Sequence, residues 1–206
     1  GIHAVTTTNG QTTISSCTIS GNISSYMGGG VDLISNGDGA ENRIINSTIS
    51  GNTAVYGGGV RASANNDGVN TITNSTIAFN TADDGGGLFV DGILNLNSTI
   101  VGNNVASVTT FHDISNVPNS IIAMNSLVED GYGHWIVNGA DGNIVGDDPR
   151  LGPLADNGGP TLTHALLDDS PAIAAGFAAP DVLFDQRGVG YPRDVAGVDI
   201  GAIEYF

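Results

Sequence analysis

One short motif recurs five times in the first 125 residues and constrains the fold more than any other feature. The copies are SCTISGN (16–22), NSTISGN (46–52), NSTIAFN (74–80), NSTIVGN (97–103) and NSIIAMN (119–125), and they begin 30, 28, 23 and 22 residues apart. A glycine triplet follows three of them, at 28–30, 57–59 and 85–87. Self-similarity at such a period is the signature of a solenoid, in which each repeat stacks on the next.

The composition of the repeat favours β-structure. Short β-branched runs bounded by Asn and Gly are typical of strands and turns, and residues 1–125 show no sustained helical apolar period. We therefore predict an all-β fold, a right-handed single-stranded parallel β-helix of about six coils over residues 1–146. Residues 147–176 contain four of the seven prolines and no copy of the repeat. We expect residues 147–206 to form an irregular C-terminal cap that packs on the solenoid end, where unpaired strand edges need cover.

Side-chain alternation within each motif predicts which residues form the core. The isoleucines would stack inward: Ile19, Ile49, Ile77, Ile100 and Ile122. The threonines would face outward: Thr18, Thr48, Thr76 and Thr99. Small residues two positions before each isoleucine would also point inward: Cys17, Ser47, Ser75, Ser98 and Ser120. The single cysteine is therefore predicted to be a buried, unreactive thiol.

The Asn and Gly residues are predicted to form the corners between strands. Asn tolerates left-handed backbone, and its side chain can bond to the equivalent amide one coil away. The closing asparagines would form such a ladder: Asn22, Asn52, Asn80, Asn103 and Asn125. The glycine triplets would supply positive φ or close backbone approach at the next corner.

The charge balance excludes several classes of partner. The chain carries 18 Asp and 3 Glu against 5 Arg and no Lys, for a net charge of −16. Such a surface repels nucleic acid and anionic membranes. No apolar stretch approaches the roughly 20 residues that span a bilayer. The start at Gly1, without an initiator Met or a signal peptide, suggests a processed or excised piece and fits secretion.

The C-terminal third resembles a known family. The segments DPRLGPLADNGGPTLTHALLDDSPAIAAG (148–176), DQRGVGYPR (185–193) and VDIGAIEY (198–205) are similar to the choice-of-anchor Q region of bacterial surface and secreted β-helix proteins. TIAFN followed by GGGL, within 76–88, resembles the repeats of polymorphic outer-membrane proteins. The resemblance implies an extracellular bacterial cell-surface protein without catalytic activity. The chain departs from the family at Ala174, where the family usually has Asp.

An enzyme is the alternative class, because β-helices also house polysaccharide lyases and hydrolases. Asp83 and Asp84 resemble the paired carboxylates of a polygalacturonase, but the Arg-x-Lys that such an enzyme needs cannot exist without lysine. A lyase would need acidic calcium ligands and a basic residue on one sheet face, for which Arg43 and Arg61 are available. The four histidines, His3, His112, His134 and His164, show no metal-ligand spacing, and we expect His164 to form hydrogen bonds in the cap.

Two long inter-repeat stretches are the candidate binding loops. Between glycine triplet and next motif the chain has 15 and 14 residues in two coils but nine in the third. We predict that the longer two protrude and bring Asp38, Glu41 and Asp67 together as a partner surface or a calcium site, with solvated loops as the alternative. In the cap, four residues are predicted to form ion pairs that hold the last strand: Arg187, Arg193, Asp199 and Glu204.

The sequence therefore predicts a non-enzymatic extracellular structural or adhesive protein, displayed on a bacterial surface or assembled head to tail into filaments. Its partners would be other subunits or cell-surface glycans, with no nucleic acid and no membrane-spanning segment. A polysaccharide lyase or hydrolase is the alternative, and ice binding by the outward threonine column is a minor one. No cofactor is predicted, apart from a possible Ca²⁺.

Overall fold

Parallel strands stack coil upon coil in the computed structural model of the chain, which describes residues 1–117, 120–131, 135–177, 179, 182–193 and 197–206. The only helical element among these residues is a 3-10 turn at Ala140–Gly142, and none of them forms a helix long and apolar enough to cross a membrane. The predicted all-β fold, a parallel β-helix, is confirmed.

Three parallel sheets form the walls of the solenoid. The first sheet contains Ile2–Thr7, Val31–Asn36, Val60–Asn65, Leu88–Asp91 and Ile114–Asn116. The second contains Gln11–Ser15, Glu41–Ile45, Val69–Thr73, Leu94–Asn97 and Ile121–Met124. The third contains Thr18–Ser20, Thr48–Ser50, Thr76–Ala78, Ile100–Gly102, Leu127–Val128 and Ile144–Val145. The first two sheets each contain five stacked strands, so the chain makes four full turns between its first and fifth coils. The third sheet contains a sixth strand.

Two smaller pairings complete the strand inventory of the described residues. Thr81–Ala82 pairs in parallel with Val105–Ala106 at a corner of the solenoid. Leu151–Ala155 pairs antiparallel with Thr163–Leu166 in the C-terminal region.

The isoleucine column forms as predicted in the first three coils only. Ile19, Ile49 and Ile77 pair in register and belong to the solenoid core. The prediction for Ile100 is wrong, because Val101 pairs with Ile77 while Ile100 pairs with Thr76 on the outer face. Both residues are apolar, so alternation alone does not choose between them, and the observed register buries both completely.

The fifth motif is NSLV at 125–128 rather than NSIIAMN. Leu127 and Val128 pair with Ile100 and Val101, so Val128 continues the inward column. The prediction for Ile122 is therefore wrong, because it lies on the outer face of the second sheet and is 56% exposed. Asn119, which opens the predicted copy, lies outside the described residues.

The inward column of small residues shifts with the same register. The Cys17 and Ser47 amides donate to the Oγ of the next residue in the column, Ser47 and Ser75, at 3.2 Å. In the later coils Thr99 and Ser126 take these places instead of Ser98 and Ser120. Cys17 occupies its predicted slot but is only partly buried, because it belongs to the outermost coil.

The asparagine ladder runs through the corner after the third sheet. The Nδ2 atom of each member donates at 3.0 Å to Oδ1 of the next, from Asn22 to Asn52 to Asn80 to Asn104. The ladder therefore omits Asn103 and Asn125, which were predicted members. Both have left-handed backbone, with φ of 57° and 46°, which Asn tolerates.

The glycine triplets form a further corner, as predicted. Gly57 has a φ of 65°, and a Cβ added to Gly58 would lie 2.4 Å from the Thr81 carbonyl oxygen. No residue with a side chain fits at that second position without moving the backbone of the adjacent coil. The triplets are thus explained by chain packing.

The C-terminal region packs along the side of the solenoid, and the prediction that it covers the solenoid end is wrong. It lies on the outer face of the third sheet, where Thr48 Oγ1 donates to Gln186 Oε1 at 2.6 Å and the Ala202 amide donates to Thr76 Oγ1 at 3.1 Å. A second apolar core forms between them: Ile100, Leu127, Leu166, Ala172 and Ile200. The outward hydroxyls of Thr48 and Thr76 form hydrogen bonds with the C-terminal region, and Ile100 packs its apolar side chain against it.

This packing removes the exposed threonine array that ice binding would need. Thr48 and Thr76 face outward as predicted, but they are buried beneath the C-terminal region. Thr99 points inward and Ile100 takes the outward place in the fourth coil. The outward threonines therefore serve internal docking.

Candidate functional site

A groove with a volume of about 800 Å³ opens between the second sheet and a C-terminal segment whose described residues are 177, 179 and 182–189. Outward side chains of the second sheet and its corner form the floor: Thr13, Arg43, Ile45, Thr71, Thr73, Asn97 and Met124. Large apolar side chains of the C-terminal segment form the wall: Phe177, Leu183, Phe184 and Val189.

Strand alternation places the floor residues. Ile44 and Ile72 point into the core, so their neighbours Arg43, Thr71 and Thr73 face outward. In-register pairing then stacks one such row above another, with Thr13 next to Arg43 and Arg43 next to Thr71. Rows lie about 4.8 Å apart, so the five rows from Thr13 to Met124 extend over about 19 Å.

Hydrogen bonds to the solenoid corners hold the wall in place. Asn46 Nδ2 donates to the Phe184 carbonyl at 2.8 Å, and the Phe177 amide donates to Ser98 Oγ at 2.6 Å. The side chains of Phe177 and Phe184 nevertheless remain 58% and 37% exposed. The wall therefore presents a fixed apolar surface to the groove.

Buried ion pairs brace the wall from behind. Arg193 Nη1 and Glu204 Oε1 lie 2.6 Å apart, as predicted, and Arg193 also donates to Asn46 Oδ1 at 2.8 Å. Arg187 pairs with Asp185 at 2.5 Å and donates to the Glu204 carbonyl. Burial raises the pKa of Glu204 and lowers that of Arg193, and the opposite charge of each partner opposes the shift.

Asp199 does not form the predicted ion pair. Its carboxylate accepts hydrogen bonds from the backbone amides of Ala174 at 2.7 Å and Tyr205 at 2.5 Å. Ala174 has a left-handed φ of 53°. This left-handed backbone suits Asp better than Ala, so the structure does not explain why Ala stands at this position.

Arg43 is the exception among the five arginines. Four have a close carboxylate partner: Arg61 with Asp32, Arg150 with Asp169, Arg187 with Asp185, and Arg193 with Glu204. Arg43 Nε lies 3.7 Å from Glu41 and has no hydrogen-bond partner among the described residues. The groove therefore contains a cation with open donors. Its described carboxylate, Asp185, is already neutralised by Arg187.

The described groove residues lack a pair of convergent carboxylates for acid–base chemistry. Asp83 and Asp84 lie at a corner instead, where they accept hydrogen bonds from Ser107 at 2.7 Å and Thr109 at 2.9 Å. Arg61 is engaged by Asp32 on the first sheet at 3.1 Å. The two arginines considered for a lyase thus lie on different sheets.

The two acidic loops were predicted to protrude, and they do not. Residues 31–45 and 60–73 each form two strands joined by a short corner, with Asp38 and Asp67 exposed in those corners. Glu41 lies in the second sheet and accepts a hydrogen bond from Thr71 at 3.3 Å. No group of three or more His, Cys, Asp or Glu side chains in the described residues could hold a metal ion; His134 lies outside them.

A buried acid that sequence reasoning missed ends the asparagine ladder. Asp113 Oδ1 accepts from Asn104 Nδ2 at 2.9 Å, and its Oδ2 accepts from the Asp130 amide at 2.7 Å. Burial raises the pKa of Asp113 to about 7, and the nearby Glu129 charge adds to the rise. Asp113 thus supplies the acceptor that a further ladder asparagine would supply, from the position that Gly87 holds in the preceding coil, and the only sequence signal is its place before a strand of the first sheet.

His164 forms the hydrogen bonds expected of it. Its Nε2 lies 2.8 Å from Ser50 Oγ and its Nδ1 lies 2.8 Å from the Gly152 carbonyl, which joins the antiparallel hairpin to the third sheet. Burial lowers its pKa.

Comparisons with protein-family models, with curated proteins and with solved structures found no match. The resemblance to choice-of-anchor Q and polymorphic outer-membrane proteins therefore stays a hypothesis, and function has to be argued from the groove.

Proposed function

We propose that the chain is a non-enzymatic extracellular bacterial β-helix protein with an adhesive role, which binds an extended glycan in the groove. The observation that carries the proposal is the pairing of a polar, regularly spaced floor with an apolar wall. The second sheet positions the floor, and hydrogen bonds to Asn46 and Ser98 hold the wall, so little ordering cost opposes binding.

A sugar chain matches this two-sided surface. Its hydroxyl groups suit Thr71, Thr73 and Asn97 on the floor, while its C–H faces suit the rings of Phe177 and Phe184. Each sugar unit of an extended glycan has a length comparable with the spacing between rows. A peptide is less well served, because main-chain pairing needs a strand edge, and the groove runs over the face of the sheet, whose edge strands lie only at its two ends.

The chemistry of the floor favours binding over cleavage. Hydrolysis or elimination needs a positioned acid or base. The described groove residues hold one carboxylate, Asp185, which is bound to Arg187, and one arginine, Arg43, without the acidic calcium-ligand cluster that a lyase would need beside it. Glycan fragments incubated with the protein should therefore stay intact by mass spectrometry. Accumulating shorter products or unsaturated ends would refute the non-enzymatic part of the proposal.

A glycan microarray followed by calorimetry tests the proposal. Phe177→Ala and Phe184→Ala should each weaken binding about two- to tenfold, since ring contacts are worth about 0.5–1.5 kcal/mol beyond their area. Val108→Ala is the control, because Val108 is exposed outside the groove. No binding on an array of bacterial and plant glycans, or equal losses in all three variants, would contradict the proposal.

The head-to-tail assembly expected from the sequence stays a prediction. Mass determination in solution over a range of concentrations tests it: ordered oligomers would support it, and a constant monomer mass would contradict it.

A further inference from the structure

Resting on the proposed function, we infer that the groove selects a sparsely carboxylated glycan, with the Arg43 guanidinium as the anchor for one carboxylate. The glycan would carry a single acidic sugar within the bound segment, flanked by neutral units.

The state of Arg43 is the first support for this inference. In a chain with 21 acidic residues and 5 arginines, the other four arginines have a carboxylate oxygen at hydrogen-bond distance, whereas Arg43 has only a looser ion pair, with Nε 3.7 Å from Glu41 Oε1. The side chain of Arg43 is 41% accessible, its Nε is buried, and it forms no hydrogen bond within the described part of the chain. A planar guanidinium with open donors binds a carboxylate through two parallel hydrogen bonds.

The position of Arg43 is the second support. It lies in the second row of the floor, next to Thr13 on one side and Thr71 on the other. A carboxylate held there leaves polar groups within reach of the sugars before and after it. The acidic sugar would therefore lie inside the bound segment.

The charge of the rest of the molecule sets the limit on ligand acidity. Arg43 is the one cation among the described groove residues, because Arg187 is not part of the lining and is neutralised by Asp185. The chain as a whole carries a net charge of −16. A second or third carboxylate on the ligand would find no partner and would be repelled by this field.

The test compares three ligands of matched length by calorimetry: xylotetraose, the same tetrasaccharide bearing one glucuronic acid branch, and tetragalacturonate. A microarray of neutral, singly acidic and polyuronic glycans on other backbones is probed in parallel. The wild-type protein, Arg43→Gln and Arg150→Gln are compared. Arg150→Gln removes the same charge at a site outside the groove, where Arg150 pairs with Asp169.

Among glycans with the same sugar backbone, those with one acidic sugar should bind best. Arg43→Gln should lower the affinity for these glycans about ten- to a hundredfold and leave the affinity for neutral glycans unchanged. Arg150→Gln should behave as wild type. Arg43→Lys should recover only part of the lost affinity, because lysine keeps the positive charge but cannot form the two parallel hydrogen bonds of a guanidinium.

The failures of the two proposals are distinguishable. Equal binding of neutral and singly acidic members, a preference for polyuronic members, or equal losses in both arginine variants would overturn the inference while glycan binding stands. A preference for sulfated over carboxylated glycans would overturn it too. Absence of binding to every glycan would overturn both this inference and the proposed function.

Discussion

Replacing Asn80 by alanine should be among the most costly single changes in the solenoid. Asn80 Oδ1 accepts from the Asn52 amide and from Asn52 Nδ2, both at 3.0 Å. Its Nδ2 donates to the Ile49 carbonyl and to Asn104 Oδ1, also at 3.0 Å. Asn80 is fully buried, so water cannot replace these partners.

The magnitude follows from what the substitution leaves behind. The buried Asn52 amide loses its acceptor, at about 1–3 kcal/mol, and the other lost bonds add about 1 kcal/mol each. We expect a loss of about 3–5 kcal/mol in the free energy of unfolding. For a chain of this length that lowers Tm by roughly 6–20 °C. Urea and thermal unfolding followed by circular dichroism measure both quantities.

Two matched variants test the ladder itself. Asn104→Ala should cost about as much as Asn80→Ala, because it removes the next rung of the same ladder. Asn103→Gly should cost only about 1 kcal/mol, since glycine keeps the left-handed backbone and Asn103 bonds to the half-buried Glu129. Equal costs at positions 103 and 104, or a loss below about 1 kcal/mol for Asn80→Ala, would refute the ladder as described.

Three further predictions concern the outer face and the buried charges. Ile100→Ala should destabilise the fold by about 2–4 kcal/mol, whereas Ile122→Ala should change it by less than about 0.5 kcal/mol; equal effects in chemical denaturation would contradict the register. Because burial raises the pKa of Asp113 to about 7, its contribution to stability is fully present below about pH 4 and is lost as the pH rises through 7. Asp113→Asn should reduce the fall in unfolding free energy between pH 5 and 8, although Glu129 and Glu204, whose pKa values burial also raises, leave part of it; an unchanged fall would refute the assignment. Arg193→Met should destabilise by about 3–5 kcal/mol, because it leaves the buried Glu204 unpaired, and the double variant with Glu204→Leu should recover much of that loss.

The sequence was sufficient for the solenoid because its determinants are local. Corner residues such as Gly57 and the first members of the asparagine ladder need specific backbone geometry, and the motif displays that need at each repeat. The register of the fourth coil was not predictable in the same way. Ile100 and Val101 are adjacent and both apolar, and only the packing of the C-terminal region onto Ile100 distinguishes them.

The groove could not be predicted because residues far apart in sequence form it. The sequence alone marks Arg43 only as a basic residue that a lyase could use, and nothing local places it opposite Phe184. Their proximity depends on where the C-terminal region docks, which the sequence suggested at the solenoid end.

The central claim is that the groove over the second sheet is a glycan-binding site anchored by Arg43. A crystal structure of the protein with the singly acidic tetrasaccharide tests it most directly. The account predicts a sugar chain along the groove, with its carboxylate about 2.7–2.9 Å from the Arg43 guanidinium nitrogens and a sugar ring against Phe177 or Phe184. A bound saccharide elsewhere on the solenoid, or one in the groove whose carboxylate points away from Arg43, would contradict it.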